Sequence, residues 1–149
     1  MTTSNPTILQ NALKITIGTQ PPIYLRSSHR HDFNRYVFSN GSYTYTDGGL
    51  DYIHRGSTEN IPSNVKVEDF SLNSQDNFSR IRARLLWGTR GKSGHEPLSY
   101  VRIVDCSTSH LRNILKYEFP LGKKLEAVPL HLKVIKSVLE SRVRKAERA

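Results

Sequence analysis

Apolar and polar positions alternate in short runs through the first half of the chain, whereas in much of the second half the apolar ones recur three and four residues apart. Strands are therefore expected first and helices later. "LKITI" (Leu13–Ile17) alternates and stops at Gly18, although "ILQNA" just before it mixes helical and strand signals. Pro21 and Pro22 break any helix and leave "IYLRS" extended. "RYVFS" and "SYTYTD" alternate on either side of Asn40-Gly41, a type I′ hairpin signal, and Asp47-Gly48-Gly49 turns the chain into a third strand in "LDYIHR". Together these segments predict a small antiparallel meander. Polar "GSTENIPSN" reads as a loop, and "VKVEDFSL" as a further short strand.

In "SQDNFSRIRARLLW" the residues Phe78, Ile81 and Leu85 share one helical face, with Asp76 or Asn77 near the start. An alternating strand reading of "SRIRARLL" remains open beside the preferred helix. "LSYVRIVD" reads as a strand, and "STSHLRNILKY" as a short helix that buries Leu111, Ile114 and Leu115. Pro129 suits the first turn of a last helix, whose expected apolar stripe is Leu132, Ile135, Leu139 and Val143. Glu140 and Arg144 are spaced as an i,i+4 pair, and basic residues crowd the final turns. The expected fold class is α+β: a β-meander lobe over 1–58, a linker over 59–69, and a basic helical part over 70–149 with a long C-terminal helix.

Mean hydropathy is −0.52, and no apolar run approaches the roughly 20 residues of a membrane helix, so no membrane partner is expected. With Cys106 alone, neither an intrachain disulfide nor a cysteine metal cage can form. The opening "MTTSNPTILQNALKITIG" lacks a charged segment followed by an apolar one, so no export signal is expected and a reducing cytoplasm fits. Charge changes the picture most. Residues 1–70 carry six Lys/Arg and six Asp/Glu, while 71–149 carry sixteen against seven, so the net +9 lies wholly in the second half. Such a field attracts nucleic acid, a nucleotide or an acidic protein surface.

The cations fall in three groups. Arg80, Arg82 and Arg84 form a row in which, on a helix, Arg80 and Arg84 share a face and Arg82 points away. Arg142, Arg144, Lys145 and Arg148 end the chain. Arg90 and Lys92, near His95, lie among glycines that would let backbone N–H groups approach a phosphate, although Walker A spacing is absent. The anion-binding candidates are Arg80, Arg84, Arg90, Lys92, Arg144 and Lys145. A solvated helix face, or a basic turn between helix and strand, is the commoner explanation of each group alone. Trp87, Tyr100 and Tyr117 have the chemistry to stack on bases or to anchor a core.

The richest chemical cluster is His29, His31, Asp32, Asp47, Asp51, His54 and Arg55. In one reading His31 is a general base oriented by Asp32, with Arg55 holding a phosphate, as in a small nuclease or phosphoesterase. In another the imidazoles bind metal, and in the most frequent one all of them make structural hydrogen bonds. The metal and catalytic readings have the lesser weight, and no cofactor is expected.

The strings "SSHRHDFNRYVF" and "DGGLDYIHR", then "WGTRGKSGHEPLSYVRIVDCSTSHLRNIL", resemble an uncharacterised family of small tailed-bacteriophage proteins and cover roughly half of the chain. Ser28, His29, Arg30, His31, Asp32, Phe33, Asp47, Gly48, Gly49, Tyr52 and Arg55 carry the first match. Family members typically place cysteine pairs around this motif in a zinc-ribbon-like pattern. Here Tyr36 and Phe38 stand at the C-x-C positions, and Gly18 and Pro21 roughly at the upstream pair. The resemblance implies a metal-free variant whose hairpin is held by aromatic packing, acting in the cytoplasm of an infected bacterium in host takeover or counter-defence. It supplies no activity. A virion or assembly component, oligomerising through the C-terminal helix, is the other reading.

Overall fold

The computed structural model describes residues 6–56, 59–91, 94–118 and 129–148. The fold is α+β, with antiparallel sheets in the N-terminal part and three helices after them. It divides into two compact units, the first formed by 1–76 with 89–100 and the second by 77–88 with 101–149.

In the first unit β1 (Ile8–Ile17) is the central strand. Residues 11–15 pair antiparallel with β2 (Ile23–Ser27) on one side; on the other, 13–17 pair with β6 (Val65–Asp69), while Ile8 and Gln10 pair with β7 (Leu72–Asn73) across a bulge. Flanked on both edges, β1 buries the consecutive residues Gln10, Asn11, Ala12 and Leu13. That explains its mixed pattern: two buried amides interrupt the apolar alternation. A second sheet joins β3 (Asn34–Val37), β4 (Tyr43–Asp47) and the two-residue β5 (His54–Arg55) in that order, which is the expected meander.

The turn at Asn40-Gly41 differs from the expected type I′. Phe38 accepts from the Gly41 N–H at 2.9 Å and donates to the Ser42 carbonyl at 2.8 Å, and only Gly41 has positive φ, +84°. This is a three-residue loop closed by a glycine bulge, which asks for one left-handed residue where type I′ asks for two. Asn40 instead caps the loop through its side chain, accepting from the Ser42 N–H and hydroxyl. Tyr36 and Phe38 have ring centroids 5.5 Å apart.

The second unit contains α1 (Phe78–Arg84), α2 (Thr108–Glu118) and α3 (Pro129–Arg148), with a 3-10 turn at Ile103–Asp105. Asn77 caps α1 by accepting from the Arg80 N–H at 2.8 Å, worth about 1 kcal/mol. The core is Ile81, Leu85, Leu86, Ile103, Cys106, Leu111, Ile114, Val134, Ile135 and Val138. The apolar face of α3 is therefore rotated from the expected stripe. Val134, Ile135 and Val138 are buried with His131, whereas Leu132 and Leu139 are half-buried and Val143 is 49% exposed. Two overlapping apolar series exist on this helix, and spacing alone does not choose between them.

β8 (Leu86–Thr89) and β9 (Ser99–Arg102) form a two-stranded sheet, and the division between units falls within it. The units also differ from the division drawn on the sequence. Residues 65–69, drawn within the linker although "VKVEDFSL" reads as a short strand, are β6, because Val65 and Val67 register with Ile17 and Ile15 of β1.

Candidate functional site

In the first unit the motif residues meet, chiefly to hold one another. Buried Ser27, at the end of β2, donates to the Asp32 carbonyl at 2.6 Å and accepts from the Gly49 N–H at 2.8 Å. Asp32 accepts from the Ser28 N–H at 2.7 Å and from Asn34 Nδ2 at 2.9 Å, closing a turn in which His31 is left-handed at φ +64°. Gly49 is also left-handed, and a Cβ there would run into the His29 backbone. Beneath them, buried Asn11 donates through Nδ2 to the carbonyls of Asp47, Gly49 and Tyr52 at 2.9, 3.0 and 3.2 Å. Its Oδ1 accepts from Thr46 Oγ1 at 2.5 Å and from Arg55 at 2.6 Å.

Arg55 points inward. It donates to Asn11, Thr46, the His54 and Ala12 carbonyls, Ser71 and Asp69, the last at 3.2 Å. Burial alone would raise the Asp69 pKa, but the Ser71 amide and hydroxyl and the Arg55 guanidinium together hold it below the ordinary carboxylate value. Arg55 thus rivets β5 to β1 and is already engaged, contrary to the phosphate-holding role expected of it.

The imidazoles face outward with separate partners. His29 is 4.0 Å from Asp32, His54 is 3.9 Å from Asp47, and His31 Nδ1 is 3.0 Å from Tyr52 Oη. Asp32, expected to orient His31, contacts Ser28, Asn34 and His29 instead. Asp51 is exposed, and its N–H closes the turn on the Gly48 carbonyl. Among the described residues no group of three or more His, Cys, Asp or Glu stands close enough to hold a metal ion.

The second unit presents a different site. A groove of about 450 Å³ is lined by Arg82, Val104, Val138, Ser141, Arg142, Arg144 and Lys145. Arg82 donates from Nε to Ser137 Oγ at 3.2 Å and from Nη2 to Ser141 Oγ at 3.0 Å. Arg142 donates to Thr108 Oγ1 at 3.0 Å and, through Nη2, to the carbonyls of Val104 and Cys106 at 3.2 and 2.7 Å. Both guanidiniums are therefore fixed by neutral acceptors. The neighbouring carboxylate, Asp105, is taken in a two-point pair with Arg102 at 2.8 and 3.1 Å. Arg144 and Lys145 are exposed, and among the described residues neither has an ion-pair partner, so the expected Glu140–Arg144 pair is not formed. Among the described residues, four cations and no carboxylate line the groove.

Of the six anion-binding candidates, the groove collects Arg144 and Lys145. Arg80 and Arg84 lie outside its lining, because Arg82 is about 200° around α1 from each. Arg82 had been expected to point away from the useful face; it and Arg142 are the residues that spacing undervalued. The available signal was Ser137 and Ser141, small hydroxyls one turn apart at the border of the buried face of α3. Arg90 belongs to the first unit, where Glu96 packs against Gly91 and its N–H donates to the Arg90 carbonyl at 3.0 Å. A carboxylate thus stands in the glycine loop that was to receive a phosphate. Lys92 lies outside the described residues. Trp87 meets the His131 ring edge-on at 5.8 Å, Tyr100 lies under the Arg26 guanidinium, and Tyr117 is 64% exposed.

The units carry very different charge. The first has eight Lys/Arg against eight Asp/Glu, and the second fourteen against five, a net +9 that equals the total for the chain. Among the described residues no helix is long and apolar enough to cross a membrane. Comparison with protein-family models, with curated proteins and with solved structures gives no match.

Proposed function

We propose that the chain binds an anionic, phosphate-bearing partner, nucleic acid in the first instance, through its second unit and without catalysing a reaction. The observation that carries this reading is the groove whose two fixed guanidiniums are held by hydroxyls and carbonyls alone. A guanidinium neutralised by a carboxylate is largely silent to a ligand; one held by neutral acceptors keeps its full charge and is already oriented. The confinement of the whole +9 to this unit supports the same reading. The resemblance of the HRHDF and DGG segments to small tailed-phage proteins supports an infected bacterium as the setting, with host takeover or counter-defence as the role.

Binding of a fluorescent oligonucleotide measured over a range of salt concentrations tests this. Affinity should fall linearly on a double-logarithmic plot, with a slope near −0.9 per phosphate neutralised on duplex DNA and near −0.7 on a single strand. Salt-independent binding, or none, refutes it.

A further inference from the structure

We infer that the groove lined by Arg82 and Arg142 accepts a terminal nucleotide, with a phosphate monoester on the guanidiniums and the nucleoside against Val104. This rests on the anion-binding reading above and narrows it from a phosphate-bearing surface to a site for one chemical group.

Three observations lead there. The first is donor supply. A guanidinium has five N–H groups; Arg82 uses one on Nε and one on Nη2, and Arg142 uses one on Nη1 and two on Nη2. Three N–H donors of Arg82 and two of Arg142 remain, on groups whose orientation is already set. Arg82 keeps a complete Nη1/Nη2 fork and Arg142 keeps two separate N–H groups, so a ligand oxygen triad is better matched than a pair: a monoester offers three terminal oxygens, whereas an internal diester offers only two.

The second is charge. The four cations of the groove exceed what one diester, at −1, would balance, and Asp105, next in sequence to the lining residue Val104, is paired with Arg102. A monoester brings about −2 at neutral pH, and a nucleoside diphosphate brings more. The third is the wall. Half-buried Val104 places apolar surface in the same groove as the cations, where Val138 is itself buried, and about 450 Å³ lies within the range of small-ligand sites. Bare phosphate has no use for that wall, while a ribose and base do. The group can come from a free nucleotide or from a strand end, and the two sources are separable by experiment.

The full chain is titrated calorimetrically with AMP, ADP, adenosine and inorganic phosphate. In parallel, fluorescent oligothymidylates with a phosphate at the 5′ end, at the 3′ end or at neither are compared by anisotropy. A phosphorylated end should raise affinity about tenfold or more over the unphosphorylated strand, and AMP should exceed both adenosine and inorganic phosphate. Arg82→Lys, which keeps the charge but loses the fork, should abolish this preference. The double variant Arg144→Gln with Lys145→Gln, at exposed positions, should weaken every phosphate-bearing ligand. AMP binding more tightly than any strand assigns the site to free nucleotides, and the reverse assigns it to strand ends. If phosphorylated and unphosphorylated strands bind alike and AMP does not bind, the inference is wrong while the proposed function stands. If inorganic phosphate matches AMP, the nucleoside contact is wrong. If no strand or nucleotide binds, both fall.

Discussion

The two units place arginine in opposite ways. In the first, Arg55 is enclosed by five neutral acceptors and the carboxylate of Asp69, and its work is to hold β5 on β1. In the second, Arg82 and Arg142 are fixed by serine, threonine and backbone oxygens, beside two cations that have no ion-pair partner among the described residues. The interiors differ in the same sense. The first unit buries Gln10, Asn11, Ser27, Thr44 and Thr46, while among the described residues of the second the buried polar one is His131. One unit therefore directs its polar chemistry inward and is electrically neutral; the other has an apolar core and turns its charge outward. A cluster rich in His, Asp and Arg is consequently a poorer guide to a binding site than arginines whose partners leave their charge intact.

The largest effect that separates the units is on stability. Asn11→Ala removes one amide that satisfies three carbonyls and receives two donors in a closed interior, and should cost about 3–4 kcal/mol in urea unfolding. Ser137→Ala, which removes one acceptor from Arg82 at the edge of the groove, should cost under about 1 kcal/mol. Equal losses would erase the contrast.

A smaller effect reports on the apolar interior of the second unit. Burial pushes the Cys106 thiol from 9.0 up to about 11; Asp105 adds to the rise and Arg142 opposes it. Between these values the unfolded chain has released its proton and the folded chain has not, so stability is present in full below pH 9 and declines as pH rises towards 11, by roughly 2 kcal/mol. Cys106→Val should remove that increment of alkaline sensitivity. Wild type and variant losing stability in parallel from pH 8 to 11 would place the thiol in contact with water.

The meander and the helices were legible because their apolar spacing was clean: α1 follows its cap Asn77, and α3 begins at Pro129, although Leu86 and Trp87, read with the helix, open β8, and Ile103–Asp105, read as strand, is a 3-10 turn. Three features were not, each because a tertiary contact decides it. Asn40-Gly41 makes the glycine-bulge loop, with Asn40 supplying an oxygen in place of a left-handed backbone. Residues 65–69 pair with β1, a partner some fifty residues distant that local pattern does not reveal. The face of α3 is set by what packs on Val134 and Val138, and its rotation carries Ser141 and Arg142 into the groove. For the candidate site, the charge asymmetry pointed to the right region and to Arg144 and Lys145. Arg82 was passed over because helical geometry separates it from Arg80 and Arg84, and the serines that receive it lie more than fifty residues away.

The most direct measurement compares salt dependence between the units. Oligonucleotide affinity is followed against salt for the wild type, for Arg144→Gln with Lys145→Gln, and for Arg30→Gln with Arg35→Gln, which remove the same charge from exposed positions of the first unit. The second-unit variant should bind more weakly with a salt slope shallower by about 2, while the first-unit variant keeps the wild-type slope. Identical slopes in the two variants, or a shallower slope in the first-unit variant alone, would contradict the assignment of anion binding to the second unit.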